Sequence, residues 1–410
     1  MNVRRSAAVL AATAVIGTAT PAMAADPSAS PSPSVAIPDG LYGSGDPTYD
    51  GVWRQSLTLM AQREQSVDPA DKAVDWLAGQ QCANGAFPAF RADTTKACDA
   101  KVMVDTNSTA AAVQALAATG GHEDVPRKAV AWLKSVQNKD GGWGYTAGGA
   151  SDANSTSVVI GALTAVGQQA AKVQKNGKSP YDALLDLALP CTGTGAGAFA
   201  YQPDKKGDLS ANADATAAAV LGGLGEQQTN VHSDDDRASR SCEKPGDAEQ
   251  AAHNGASYLA KTMAKDKYLK SALPGAEDQP DYGNTADAVV ALSAADFHAE
   301  ATASVHWLEA NALKWAAQTG PAAYAQLVLA AQAGGLNPRE FGGKDLIVLL
   351  NATGPTPEHV PGPKEGRATG ATESDDSDDG LSVAWTVGGG LLLGALIGFA
   401  LMLRGRKRRQ

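Results

Sequence analysis

The sequence predicts an all-α fold: an α/α toroid of about five to six helical hairpins, followed by a single C-terminal transmembrane helix. Three observations predict it. One turn motif recurs at a fixed period. Ala-rich helical stretches follow the turns and carry too little polar surface to stand in water. An uncharged run near the C-terminus is long enough to cross a bilayer.

The clearest copy of the motif is "WLKSVQNKDGGWGY" (132–145). It reads aromatic-Leu, then Gln137, three residues, Gly141, one residue, Trp143. Fifty-six residues earlier "WLAGQQCANGAFPAF" (76–90) places Gln81, Gly85 and Phe87 in the same pattern. Another step of 56 lands in "TGTGAGAFAYQP" (192–203), which keeps Gly197 and Phe199 but has Gly193 where the Gln belongs. A period held over three copies marks one supersecondary unit repeated.

In chain order, Arg4 and Arg5, an apolar stretch and Ala22-Met23-Ala24 read as a secretory signal peptide, residues 1–24. A Pro/Ser-rich linker is expected over 25–50. The repeat domain then occupies 51–350. An extra helix (52–65) opens it. The first helix of each hairpin carries an aromatic-Leu signature and some charge: "KAVDWL" (72–77), "KAVAWL" (128–133), "GASYLA" (255–260), "SVHWLE" (304–309). The second is small and apolar behind a polar start: 105–120, 152–167, 212–225 and 284–296, with 316–335 closing the series. Asp, Asn, Ser and Thr at a start accept from unpaired N–H groups, and Gly closes an end. Helices apolar all round must be buried, so these form an inner layer and the charged ones an outer layer. Ala and Gly on the inner set favour a closed ring over an open solenoid.

An acidic Pro/Gly linker spans 351–380, and the transmembrane helix 381–403. Residues 383–403 give 21 without a charge, against roughly 20 needed. The basic tail 404–410 marks the cytoplasmic side. The expectation is a single-pass cell-membrane protein with its repeat domain outside.

The net charge is −10, and about −17 once Arg4, Arg5 and the basic tail are set aside. Such an acidic body disfavours nucleic acid and anionic lipid as partners. Cys82, Cys98, Cys191 and Cys242 are an even set in an exported chain, so two disulfides are expected from three pairings. Cys82–Cys98 with Cys191–Cys242 is preferred, each closing one inter-helix loop. No CxxC is present, which argues against a zinc site. The six histidines are scattered away from any nucleophile.

The clasp, followed by a polar-capped Ala/Leu helix, resembles the terpenoid cyclase and protein prenyltransferase α/α-toroid superfamily (prenyltransferase and squalene-oxidase repeats) over roughly residues 50–350. The resemblance implies that each clasp Gln ties backbone at a helix end and stacks on the aromatic, a structural role. Cyclases of that superfamily use a D-x-D-D acid. The single D-x-D-D here is Asp376, Ser377, Asp378 and Asp379, in the charged linker where no dry pocket can tune an acid. The zinc ligands of the prenyltransferases have no counterpart. No catalytic residue and no metal is therefore assigned. A third kind of member, the intrinsic factor and transcobalamin type of B12 carrier, opens inner helices as "VDTNSTAAAVQAL" (104–116) does. This likeness implies a corrinoid ligand and no catalytic cofactor. Those carriers use a second, β-rich domain that 351–380 cannot supply, so a partner is implied: a transporter or another surface protein.

If the inner helices run parallel, their starts gather at one end. Asp105, Asn107, Asp152, Asn154, Asn212, Asp214 and Asn284 meet there, with Tyr145, Tyr201 and Tyr282 just upstream. They are the candidate ligand-binding residues, and Asp105 and Asp152 also read as plain helix caps. The expected function is binding of a small molecule or partner protein without catalysis. The alternatives are a cyclase-like or prenyltransferase-like enzyme with diverged motifs, and a structural envelope protein.

Overall fold

The computed structural model describes residues 36–231, 239–272 and 276–362. The expected signal peptide, D-x-D-D, transmembrane run and basic tail lie outside the described residues. No described helix is long and apolar enough to cross a membrane.

The described chain is helical, with α1 (Gly51–Glu64), α2 (Asp71–Gly79), α3 (Thr106–Thr119), α4 (Asp124–Ser135), α5 (Ala153–Ala165), α6 (Pro180–Asp186) and α7 (Ala213–Leu224). It continues through α8 (Ala248–Met263), α9 (Tyr282–Ala294), α10 (His298–Asn311), α11 (Leu313–Thr319), α12 (Pro321–Ala333) and α13 (Leu346–Asn351). Two short antiparallel ladders pair β1 (Phe87–Pro88) with β2 (Val104–Asp105) and β3 (Leu269–Lys270) with β4 (Pro280–Asp281).

Helix α1 packs on α3, α3 on α5, α5 on α7, α7 on α9, α9 on α12, and α12 back on α1. Six inner helices thus close a ring. The outer helices α2, α4, α6, α8 and α10 each lean on the inner ones beside them. The composition explains this. Ala110 to Leu116 of α3 are all buried, as are Val159, Ile160, Ala162 and Leu163 of α5. Small side chains let neighbouring helices approach closely, and burial on every side removes any need for a polar face.

Several expectations need correction. The opening helix is not an extra element: α1 is a full ring member, since it contacts both α3 and α12. Helix α9 starts two residues before the expected 284, because Asp281 accepts from Asn284 N at 3.1 Å and caps it. Helix α6 was not expected, because it lacks the aromatic-Leu signature and starts instead on a Ser179/Asp182 capping box. Part of the stretch expected as linker packs on the domain, at Gly40, Leu41, Tyr42 and Pro47. Tyr42 is fully buried, its hydroxyl donates to Pro355 O at 2.8 Å, and Gln55 Oε1 accepts from its N–H. Both disulfides pair as preferred. Cys82–Cys98 closes one loop, but Cys191–Cys242 spans 51 residues and encloses α7, so it is more than a loop clasp.

The recurring turn is a tie between repeats. Gln81 Nε2 donates to Gly85 O at 3.0 Å and to Val125 O at 2.8 Å; Gln137 Nε2 donates to Gly141 O at 2.8 Å and to Val173 O at 3.0 Å. Trp143 is buried and its Nε1 donates to Leu133 O at 2.8 Å. Truncating such a side chain costs about 3–5 kcal/mol. Gly141 sits at φ +91°, and a Cβ there would lie 2.2 Å from Ser179 O. Only glycine fits.

Candidate functional site: the N-terminal end of the ring

Backbone bonds set the starts of successive inner helices side by side. Val52 N of α1 donates to Ala89 O at 2.8 Å, Thr106 N of α3 to Tyr145 O at 2.8 Å, and Ala153 N of α5 to Tyr201 O at 3.1 Å. The three acceptors, Ala89, Tyr145 and Tyr201, stand 56 residues apart. Each turn therefore accepts from an N–H at the start of the preceding inner helix. A buried threonine then locks turn to helix. Thr109, Thr156, Thr216 and Thr285 Oγ1 accept from Phe87 N, Trp143 N, Phe199 N and Leu269 N at 2.9, 3.1, 2.9 and 3.0 Å. Leu269 holds the aromatic position of a fourth copy that the sequence pattern did not reveal. Its signal was the threonine four residues after each helix cap.

The candidate residues fall into two groups. Asp105, Asp152 and Asn212 are caps. Asp105 accepts from Ser108 N at 2.6 Å, Asp152 from Ser155 N at 2.6 Å, and Asn212 from Ala215 N at 2.9 Å. Asp105 and Asp152 are each 1% exposed, which leaves no face for a ligand. Burial outweighs these bonds and pushes both carboxyls up to about 6. Asn284 belongs with this group, since its amide also donates to Asp281, at 2.9 Å.

The second group points into the ring. Asn107, Asn154 and Asp214 lie in the first turns of α3, α5 and α7 and keep partial solvent contact on helices otherwise buried. Asn154 Nδ2 donates to Asp214 Oδ2 at 2.8 Å, joining α5 to α7. Burial raises the Asp214 carboxyl, and the charge of Asp281 adds to the rise. One turn deeper stands Asp287 of α9, which accepts from Gln326 Nε2 of α12 at 3.1 and 3.2 Å. Burial first, then Asp214 and Asp281, push its carboxyl up to about 7. The sequence reading missed Asp281, Asp287 and Gln326. Asp287 had a legible signal: one acid in an otherwise apolar helix.

The tyrosines rim this end. Tyr145 and Tyr201 are pushed up to about 12, chiefly by burial, then by Asp105 and Asp152 respectively. Tyr201 also keeps 40% of its surface exposed. Tyr282 lies inside α9 rather than upstream of it, and stacks between Trp307 and Trp315 at 5.4 and 5.5 Å. Tyr268 extends that stack against Trp307 at 4.5 Å.

A cavity of about 10 Å³, room for about one water, is lined by Leu57, Leu221, Asp287, Val290, Gln326 and Leu329, with Gln228 from the segment after α7. A larger cleft of about 400 Å³ lies elsewhere, where residues 37–44 meet Lys72 and 353–356. Among the described residues no group of three or more His, Cys, Asp or Glu side chains could hold a metal ion.

Residues 103–174, which hold α3, α4, α5 and the clasp between them, match the squalene-hopene cyclase C-terminal domain. The chain is 30% identical over 138 residues to a squalene–hopene cyclase of Alicyclobacillus acidocaldarius, covering 31% of this chain and 22% of that protein. It thus spans well under half the length of that curated relative. Among solved structures, it is similar to an ent-copalyl diphosphate synthase from Streptomyces platensis, at 15% identity and TM-score 0.46 over 69% of this chain and 50% of that one. It is also similar to the type II terpene cyclase MstE from Scytonema, at 15% identity and TM-score 0.42 over 70% of this chain and 74% of that one. A protein from Actinoplanes compares at 16% identity and TM-score 0.43, over 70% and 78%. These sequence matches cover part of the repeat domain and liken it to the squalene–hopene cyclases.

Proposed function

We propose that this chain is a membrane-anchored extracellular receptor whose toroid binds a small molecule at its N-terminal mouth without catalysis. A corrinoid is the first ligand to try, and a transporter or second surface protein is the expected partner. The carrying observation is the polar, solvent-touching rim: Asn107, Asn154, Asp214 and Tyr201 keep solvent contact at the N-terminal end, with Asp287 one turn deeper.

The test is calorimetric titration of the purified full-length chain with a corrinoid. Saturable binding, weakened by Tyr201→Ala at unchanged melting temperature, supports the reading. Absence of heat at high protein concentration refutes corrinoid binding by this chain alone. Asp105 and Asp152 are poor choices for this test, because they cap helices.

One observation favours a second reading, a cyclase-like enzyme with diverged motifs. Asp287 is a deeply set acid raised to about 7, and the curated relative is a squalene–hopene cyclase. Incubation with squalene and a search for cyclised product by mass spectrometry tests it. Product that disappears in Asp287→Asn would replace the receptor reading.

A further inference from the structure

On helices buried from every side, residual solvent contact marks the face turned to the lumen. The partly exposed positions repeat every three to four residues: Asn107 on α3, Asn154 and Val158 on α5, Asp214 and Ala218 on α7, Asp287 on α9, Gln326 on α12. This is the helical period of one face. The cavity lining confirms the direction for α1, α7, α9 and α12. Gln114 lies on the same face of α3, about two turns below Asn107. It is 3% exposed, and its amide fills the space a side chain at Gly161 would take, at 3.2 Å from the ideal Cβ.

The hydrogen-bonding inventory of this lumen is lopsided. Three of its amide groups are already engaged as donors. Asn154 Nδ2 serves Asp214, Gln326 Nε2 serves Asp287, and Gln114 Nε2 donates to Val158 O at 3.2 Å. These bonds fix which way each amide points. They leave Asn154 Oδ1 and Gln114 Oε1, together with Asn107 Oδ1, buried and without a hydrogen-bond partner. A buried acceptor left unpaired costs about 1–3 kcal/mol. Asp214 and Asp287 add carboxylates, and no Lys, Arg or His forms an ion pair with either among the described residues. Leu57, Leu221, Val290 and Leu329 supply the apolar walls.

We propose that the lumen, at the level of Asp214 and Asp287, binds the ammonium head of a primary alkylammonium ligand that enters from the N-terminal mouth. An ammonium nitrogen matches the water-sized space and brings three donors and one positive charge to a site rich in acceptors. Its alkyl stem would run from there toward the N-terminal mouth. A phosphate or carboxylate head would meet like charge. The proposal rests on the reading of the mouth as a ligand entrance, but not on a corrinoid.

The probe is n-hexylammonium, titrated calorimetrically into the full-length chain beside 1-hexanol and hexanoate of the same length. Saturable binding of hexylammonium, at least tenfold tighter than hexanol and with no heat from hexanoate, is the expected result. Asp287→Asn keeps the shape and removes the charge, and should weaken binding at least tenfold. Val158→Phe blocks the lumen from α5 without touching either acid, and should abolish binding at retained helicity. Equal binding of hexanol, or full hexylammonium affinity in Val158→Phe, overturns the proposal. A parallel corrinoid titration separates the two readings. Corrinoid heat without hexylammonium heat removes only the lumen site, and silence from both removes the receptor reading as well.

Discussion

The fit of Gly141 against the next repeat can be measured by pairing it with Gly148. Both occupy left-handed backbone, φ +91° and +77°. They differ in surroundings. A Cβ on Gly148 meets nothing within 4 Å, whereas one on Gly141 lies 2.2 Å from Ser179 O and 2.6 Å from Ser179 C. Those atoms are backbone at the cap of α6 and cannot swing aside. Ala at position 148 therefore carries only the left-handed penalty, about 1–2 kcal/mol. Ala at position 141 adds the overlap, about 1–3 kcal/mol for forced overpacking. For a domain of this size each kcal/mol moves the melting temperature by about 2 °C. Gly148→Ala should lower it by about 2–4 °C and Gly141→Ala by about 4–10 °C, read by circular dichroism on both variants under one condition. Equal shifts would show that the turn does not press on its neighbour. The account of the clasp as a tie between repeats would then fall.

Two further outcomes follow from the same geometry. Asp105→Ala should cost about 1–2 kcal/mol as a lost cap. It should also let Tyr145 titrate at lower pH, since the Asp105 charge helps hold that phenol up; difference absorbance at the phenolate band reads this, and an unmoved titration refutes the proximity. The folded-state carboxyls of Asp105, Asp152 and Asp287 are raised to about 6, 6 and 7, so the folded protein holds protons that the unfolded chain releases. Their contribution is complete below the ordinary carboxylate range and disappears as pH rises through about 6 to 7. Stability should therefore be on the order of 3 kcal/mol greater at pH 5 than at pH 8. A urea midpoint that is unchanged or higher at pH 8 contradicts this, and Asp287→Asn should flatten the slope.

What the sequence disclosed depended on how regular each repeat is. The first three clasps keep a 56-residue step, and residues 89, 145 and 201 keep it in their backbone bonds. Ring closure was legible because α3, α5 and α7 have no polar stripe to show to water. The later repeats drift. The insert after α7 breaks the period, and Leu269 replaces the aromatic, so Asp281 was not recognised as a cap. Caps and lumen residues also look alike in sequence. Asp152 and Asp214 both stand near an inner helix start, yet one is spent on Ser155 N–H and the other on Asn154 across the ring. The threonine four residues after each cap separates them: Thr156 marks Asp152 and Thr216 marks Asn212, which leaves Asp214 two residues past its cap. Asp287 and Gln326 were visible as lone polar residues on apolar helices, but their pairing joins α9 to α12 across 39 residues of chain.

The two ends of the ring differ in a way that bears on every functional reading. After α7 the chain does not go straight to α8. Asn230 N donates to Glu64 Oε2, at the end of α1, at 2.9 Å. Helices α1 and α7 stand opposite each other in the ring, so residues 226–231 cross its C-terminal end. Thr229 and Val231 are buried on the way, and Gln228 reaches the cavity beside Asp287. That end is closed by the chain itself, while the N-terminal end keeps Asn107, Asn154 and Asp214 in touch with solvent. Helix starts carry partial positive charge, yet here the starts of α1, α3, α5, α7 and α9 are already met by a cap or by a neighbouring carbonyl. The positive ends are thereby spent within the fold, and the carboxylates of Asp214 and Asp287 dominate what a ligand meets. A crossed floor, a solvent-touching mouth and an acceptor-rich wall are what the proposed donor-bearing ligand would meet, and this polarity disfavours an anionic one.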